Sequence, residues 1–446
     1  MRRLLIYGFS AVSELKITMK TKLRIAAKLL SAAVLTGSTS ALWGTGFRLP
    51  DQDAFATARG EAFVATADNP SAIYYNPAGL TQLEGHNLRG GVYGLYVNPS
   101  FTSPATGQTF DNQKDLHAIP QAFYSWTMDS LPLAVGLGVY SAYGMSSAWP
   151  QDTGFRKVAT EGAITSYTFN PTVAWRVLPT LSLGAGLRVN YGKLDLKQGM
   201  FWPGQAFDQF RFTGDQWALS YDVGALWQPH EKVSIGVAFK STTSFNFEGQ
   251  TDYYNTVAYP PGVGAVPPFP NQRSDANAKF EFPLNVVCGL SYRPTTNWNF
   301  EFDADYTDWS SLGTVTIHQA GGGVLGLPQS IPLALNWQGS WYYEFGATRY
   351  LGHGWSVSAG YIYNENSVPD ATYNPLVADL DRHFFSVGTG HKGKHFSFDV
   401  AYQFGYGPTR TVTGSAASGF APPYQTADGQ YEFLSQAVFL TAGWHF

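Results

Sequence analysis

The sequence predicts an all-β fold: a 14-stranded antiparallel transmembrane β-barrel plugged by a small N-terminal helical hatch. Three observations predict it. Apolar and polar residues alternate with period two from about residue 88 to the end, the pattern of strands with two unlike faces. The alternating segments run to about ten residues or more, where soluble strands cluster near 5–6, and their aromatics gather toward the ends, as in strands spanning a bilayer between two aromatic girdles. Short and long connections also alternate along the chain, as periplasmic turns and extracellular loops do in outer-membrane barrels.

Composition agrees with this class. Of 446 residues, 13% are charged and 16% are aromatic, against roughly 25% charged in an average soluble domain. The net charge of -4 excludes a broad nucleic-acid surface, which needs clustered Lys and Arg. One cysteine, Cys288, excludes an internal disulfide and a Cys-rich zinc site. No metal and no cofactor are expected.

Residues 19–41 read MKTKLRIAAKLLSAAVLTGSTSA. Lys20, Lys22, Arg24 and Lys28 precede an apolar stretch from Leu29 to Leu35 and then small residues, the order of a secretory signal peptide with cleavage near Ala41. We read Met19 as its natural start. A membrane anchor is the competing reading, but the apolar run is well short of the ~20 residues of a spanning helix. The expected organisation is a signal peptide over 1–41, a hatch over 42–86 and the barrel over 87–446.

Within the hatch, small residues dominate 54–67, which favours short helices. Asn69-Pro70 and Asn76-Pro77 read as helix starts, with Asn capping and Pro first. Phe55, Phe63, Ile73, Tyr74, Tyr75 and Leu80 give the segment a core, so it is expected to fold as a plug where a wide barrel would otherwise leave a hole.

The strands are expected over 87–98, 114–127, 131–142, 164–178, 180–196, 213–228, 231–248, 279–293, 296–309, 336–350, 353–364, 381–391, 394–407 and 431–446. Each puts large apolar residues on one face. Trp217, Leu219, Tyr221, Val223, Ala225 and Trp227 oppose Ala218, Ser220, Asp222 and Gly224. Phe396, Phe398, Val400, Tyr402, Phe404 and Tyr406 oppose Ser397, Asp399, Ala401, Gln403 and Gly405. A secreted β-sandwich is the competing fold, but its apolar face would be the packed one. Here the aromatic face recurs in nearly every strand opposite a small, polar one, which suits lipid outside and a partly wet lumen inside. Terminal Phe446 behind the last alternating strand suits recognition by the barrel-assembly machinery. The expected particle is a monomer in outer-membrane lipid.

The segment GFRLPDQDAFATARGEAFVATADNPSAIYYNPAGLTQL closely resembles the hatch of the FadL family of outer-membrane channels for long-chain fatty acids and aromatic hydrocarbons, with NPAGL at 76–80 its most specific motif. GLGVYSAYGMSSAW at 136–149, LNWQGSWYYEFGATRYLGHGWSVSAGYIYNENSVPD at 335–370 and DLDRHFFSVGTGH at 379–391 match as well. The resemblance implies passive uptake of a hydrophobic small molecule. Extracellular loops capture it, an apolar pocket beside the hatch N-terminus holds it, and a kink in the third strand lets it leave sideways into the bilayer. Long-chain fatty acid is the leading cargo and a toluene-like aromatic hydrocarbon the alternative.

Candidate site residues follow from both lines. The resemblance places Phe47 in the pocket, assigns Asn76, Pro77 and Ala78 to the hatch motif and puts the kink at the strand carrying Gly136 and Gly138. Those glycines also weaken strand pairing. Arg188 lies on the small-residue face of its strand, hence in the lumen, where a carboxylate cargo needs a cation. Lys193 stands where the family can carry a basic pocket residue, near a change of alternation phase at Gly192 that we read as a bulge. An interfacial lysine is its competing reading. The family's second pocket cation has no counterpart, because LNWQGSW at 335–341 lacks Lys and Arg. Trp149, Phe201 and Trp202, with the loop sequence TVAYPPGVGAVPPFP, are apolar residues in expected extracellular loops and so candidates for ligand capture. Lumen acids Asp222, Glu301, Asp303, Asp305, Glu344 and Asp399 are expected to pair with lumen bases such as Arg188.

No GxSxG, HExxH or phosphate-loop motif occurs, so no enzyme is expected. The rival class, an outer-membrane lipid-hydrolysing enzyme, needs a Ser–His or Asp–His pair on the outer face. A general porin would have no folded plug.

Overall fold

The computed structural model describes residues 46–201, 204, 208–255, 271–324, 327–419 and 422–446. The expected signal peptide, Trp202 and the TVAYPPGVGAVPPFP segment lie outside the described residues.

Twenty β segments build the wall: β1 (His86–Thr102), β2 (Thr109–Asp111), β3 (Leu116–Thr127), β4 (Leu133–Tyr140), β5 (Gly144–Ala148), β6 (Glu161–Leu178), β7 (Leu181–Gln198), β8 (Asp208–His230), β9 (Val233–Lys240), β10 (Thr243–Asn255), β11 (Gln272–Phe282), β12 (Asn285–Thr295), β13 (Trp298–Thr307), β14 (Thr314–Gln319), β15 (Ser330–Ala334), β16 (Ser340–Gly352), β17 (Trp355–Asn364), β18 (Arg382–Lys392), β19 (Phe396–Val412) and β20 (Gly429–His445). They form a closed antiparallel barrel of 14 staves. β4 with β5, β9 with β10, β12 with β11, and β13 with β14 are the two halves of the third, seventh, eighth and ninth staves. The seam is β1 against β20, in register from Asn87↔His445 to Thr102↔Gln430. The seam leaves neither β1 nor β20 with an unpaired edge in hydrocarbon.

Every expected strand corresponds to a stave. The differences lie at the loop end. β2, β5, β14 and β15 occupy stretches expected to be loops, and β8 begins at Asp208 rather than 213. β2, β14 and β15 expose polar or small residues on alternate positions, and β5 is buried along four of its five residues. An apolar outer face, the feature that marks the other strands, is therefore missing from them. The bulge expected near Gly192 is also absent. The β7–β8 ladder is unbroken from Leu181↔Trp227 to Gln198↔Phe210, so the change of phase there is a change of surroundings rather than of backbone.

The hatch fills the turn-end half of the lumen. Its helices are α1 (Ala54–Ala58), α2 (Ala72–Tyr75) and a 3-10 helix, Pro77–Gln82. Asp53 caps α1 by accepting from the Phe55 N–H at 3.0 Å, and Asn76 caps the 3-10 helix from the Ala78 N–H at 3.2 Å with Pro77 in first position. Such caps satisfy donors that short helices leave open. Small wall residues let the plug seat. A Cβ on Gly224 would lie 2.2 Å from Asn76 Oδ1, and one on Gly360 would lie 2.0 Å from the Gly60 nitrogen.

Candidate ligand pocket and its hatch

Buried charge fixes the hatch to the wall. Arg89 on β1 bonds Asp53 of the hatch and, at 2.8 Å, Asp399 of β19. Arg48 pairs with Asp305 at 2.7 Å and Arg59 with Glu301 at 3.1 Å. Asp303 Oδ2 accepts from the Phe63 and Val64 N–H groups, each at 2.8 Å. Glu301 Oε1 accepts from the Ala65 and Thr66 N–H groups at 2.8 and 3.1 Å. Asn76 adds bonds from its amide to Val64 O at 2.8 Å and to Ala225 O of the wall at 3.0 Å. Three of the six lumen acids, Glu301, Asp303 and Asp305, thus have hatch arginines or hatch backbone as partners rather than wall bases, because the plug brings its own orphan N–H groups into the lumen. Asp399 pairs with the wall base Arg89, as expected.

Above the hatch lies an apolar cavity of about 110 Å³, the same order as the ~150 Å³ apolar cavity that stays dry and takes up benzene. Phe47, Ile164, Leu194, Phe210, Phe212 and Phe280 line one side, and Ile317, Leu333, Leu335, Trp337 and Leu376 the other. Among the described residues its lining holds one cation, Lys197, matched by Glu161 at 2.7 Å. The Phe47 ring is the floor, 4.8 Å from both Phe282 and Trp309, 5.7 Å from Trp337 and 6.1 Å from Tyr143 between centroids. Among the described residues, two donors here have no acceptor: the indole N–H groups of Trp309 and Trp337, both buried.

Phe47 also touches the wall's main irregularity. The third stave stops pairing with β3 at Val139↔Ala122 and with β6 at Tyr140↔Thr168. It resumes against β6 at Gly144↔Thr165. Ser141–Tyr143 lie between, and β3 residues 116–121 keep only β1 as ladder partner. The hatch terminus supplies the missing bonds: Gly144 N–H to Phe47 O and Leu49 N–H to Ala142 O, both 2.9 Å, with the Gln52 amide on Ser141 O at 2.8 Å. Gly136 and Gly138 sit inside the regular ladder of β4, where a Cβ on either would meet Ile73 of the hatch. The interruption itself begins three residues past Gly138, at Ser141.

The remaining predicted residues separate. Arg188 is buried in the lumen beside Tyr140, Tyr143 and Asp222, below the pocket lining, with Nε and Nη1 unpartnered. Lys193 is exposed on the outer face opposite Asp215. The odd residues of β7 face outward along its unbroken ladder, so the expectation of a pocket lysine is not met there. Trp149 is packed into the loop layer, its N–H donating to Pro375 O at 3.0 Å and its ring 5.5 Å from Phe155. Phe201 is half-buried, its N–H on the Asp208 carboxylate at 2.6 Å. Neither lines the cavity. Phe210, Phe212, Ile317 and Leu333 do, and sequence reading missed them inside stretches taken for loops. Their signal was alternation of inverted sense, with Asp208, Phe210 and Phe212 facing in and Gln209 and Arg211 facing out.

Known proteins share this architecture. The solved structure of a Pseudomonas aeruginosa FadL homologue superposes with a TM-score of 0.77 at 18% identity, over 90% of this chain and 99% of that one. The Pseudomonas putida toluene transporter TodX gives 0.69 at 15% identity, over 90% and 100%. In sequence, the chain is 23% identical to a 47 kDa outer membrane protein of Pasteurella multocida over 397 residues, 84% of this chain and 88% of that one. The family model described as outer membrane protein transport protein (OMPP1/FadL/TodX) matches residues 32–445. With that match across a hatch-plugged barrel of 14 staves, the chain belongs to the FadL/TodX family of outer-membrane channels for hydrophobic substrates.

Proposed function

We propose that this channel takes up single hydrophobic molecules carrying a hydrogen-bond-accepting head, with long-chain fatty acids as the leading cargo. The carrying observation is Phe47. Its ring floors the apolar pocket while its carbonyl holds Gly144 at the break in the third stave. A ligand that displaces the ring therefore pulls on the bonds that seal the wall. The cargo then leaves sideways between β3 and the third stave into the bilayer. No bond is made or broken in the cargo. A monomer suffices, and terminal Phe446, stacked on His86 at 5.4 Å, is the feature offered to the barrel-assembly machinery.

The pocket's chemistry supports an acceptor head. LNWQGSW lacks the expected cation but contributes Trp337, whose buried N–H has no partner among the described residues. A buried donor left open is destabilising by about 1–3 kcal/mol, and a carboxylate or carbonyl oxygen relieves it. Arg188, lower in the lumen with its Nε and Nη1 nitrogens open among the described residues, would meet an anionic head once Tyr143 moves. A neutral aromatic is the second reading, favoured by the ring-sized cavity and by the matched charge of Lys197.

Uptake of labelled oleate and toluene by cells lacking their own channel tests both readings. Trp337→Phe should lower oleate uptake about tenfold, the loss of roughly 1.4 kcal/mol, and leave toluene within about twofold. Equal loss of both would assign Trp337 to packing alone. Phe47→Ala should depress both cargoes. Oleate excluded while toluene enters would make the neutral aromatic the cargo.

A further inference from the structure

The wall is interrupted a second time, between the eighth and ninth staves. β11 pairs with β14 only from Ala276↔Gln319 to Ala278↔Ile317. The β12–β13 ladder starts at Asn285↔Thr307. In between, residues 279–284 face the longer stretch 308–316 with no ladder, and two hydrogen bonds cross: Asp308 N–H to Leu284 O at 3.1 Å and Ser311 Oγ–H to Glu281 O at 2.9 Å. The surplus residues on the ninth stave form a 3-10 turn, Trp309–Ser311, capped by Asp308. That turn drives Trp309 fully inward.

The two sides of this thin place differ in chemistry. Inward, Phe280 and Ile317 line the pocket, and Phe282 and Trp309 clasp Phe47. Outward, Lys279, Glu281, Thr314, Thr316, His318 and Asn277 line a polar groove. The groove stands directly above the apolar band, which on the ninth stave is Phe300, Phe302 and Tyr306. Both interruptions meet at one point. Phe47 touches each, and Tyr143 Oη–H of the third-stave break donates to Pro283 O of this one at 3.2 Å.

We propose that the second interruption is a side portal to the pocket for an anionic single-chain amphiphile resting in the outer leaflet. Its head lies on Lys279 and the hydroxyl and amide groups of the groove, and its alkyl tail passes inward beside Val315. The occupant follows from the layering: polar groups stand over an apolar band outside, and an apolar cavity lies one unladdered layer within. Lys279 is accessible to a carboxylate. Its bond to Glu281 is 2.6 Å, but the two side chains are 62% and 39% exposed, and exposed pairs hold weakly. This portal rests on the transport reading above and supplies its cargo from the membrane rather than from water.

The test uses the full-length protein in lipid nanodiscs and an oleate analogue with a diazirine at the end of its tail. The portal predicts crosslinks on the 309–319 peptide at Ile317, which lines the pocket. It also predicts that Val315→Trp, in barrels shown folded by heat-modifiable migration, lowers the ratio of oleate to toluene uptake about fivefold, and that Ser311→Ala, which removes one crossing bond, raises it. Wild-type ratios in both variants would overturn the portal and leave the transport reading standing. Crosslinks confined to Lys279, Thr316 and His318 would also overturn it, as a lipid contact only. A wild-type channel that imports neither cargo would end both readings.

Discussion

The turn-end and loop-end halves of this barrel are built with opposite polarity. In the turn-end half the outside is apolar, with Leu219, Tyr221 and Val223 exposed on β8, and the inside is polar, with Glu301, Asp303 and Asp305 gripping the hatch. In the loop-end half the inside is apolar, with Phe210, Phe212 and Phe280 around the pocket. There the outside is charged, with Arg211 on Asp195 at 2.6 Å. The inversion occurs along single continuous strands near Tyr191 and Trp217. It teaches that an apolar face follows the local solvent: lipid draws it outward, and water drives it inward. The hatch half is held by directional bonds that fix one geometry. The pocket half is held by contacts that a ligand can replace.

The largest effect should come from breaking the hatch half. Arg89→Met leaves Asp53 and Asp399 buried without their shared cation, a loss of about 3–5 kcal/mol. The expected outcome is a lower unfolding midpoint and a higher steady ion conductance in planar bilayers than the native chain gives. Unchanged conductance would mean the plug is held elsewhere.

The height of the inversion can be located from the outside. Val223→Arg, in the middle of the apolar band, should destabilise by about 2–4 kcal/mol. Lys193→Leu, just above it on the neighbouring strand, should stay within about 0.5 kcal/mol. Equal effects in a folding titration into lipid would move the boundary.

The smallest effect concerns acid. Asp381, at the foot of the loop that carries Leu376 and Val377 to the pocket, is partly buried, which alone would raise its pKa. Hydrogen bonds from the Asn366 N–H and amide and from Tyr363 hold it below the usual carboxylate range instead. Its folded pKa is thus depressed. The stabilisation is present above about pH 4, the ordinary aspartate value, and fades as pH falls through the lower folded value. Proteolysis of the 365–381 loop should rise only in that acid range, and Asp381→Asn should remove the dependence.

How much was legible in the sequence follows from this polarity. The strands 298–307 and 396–406 announced themselves because lipid demands an unbroken apolar outer face. The hatch motif at Asn76-Pro77 was legible because caps and first-turn prolines are local chemistry. The pocket was less legible. Phe210 and Phe212 sit where the sense of the alternation is reversed, and Ile317 and Leu333 lie on short hairpin strands in water. Which acids meet Arg48, Arg59 and Arg89 was hidden, since contacts such as Arg89 with Asp399 join residues more than 300 positions apart. Lys193 was placed in the pocket by resemblance; its exposed position on the outer face is that of the competing reading, an interfacial lysine.

The most direct test of the account compares amide hydrogen exchange with and without oleate. If Phe47 links the pocket to the wall, cargo should speed exchange at Leu49 and Gly144, whose N–H groups seal the third-stave break, while the amides of residues 63–66, held by Asp303 and Glu301, stay protected. Unchanged exchange at Leu49 and Gly144 under saturating oleate, or loss of protection throughout the hatch, would contradict it.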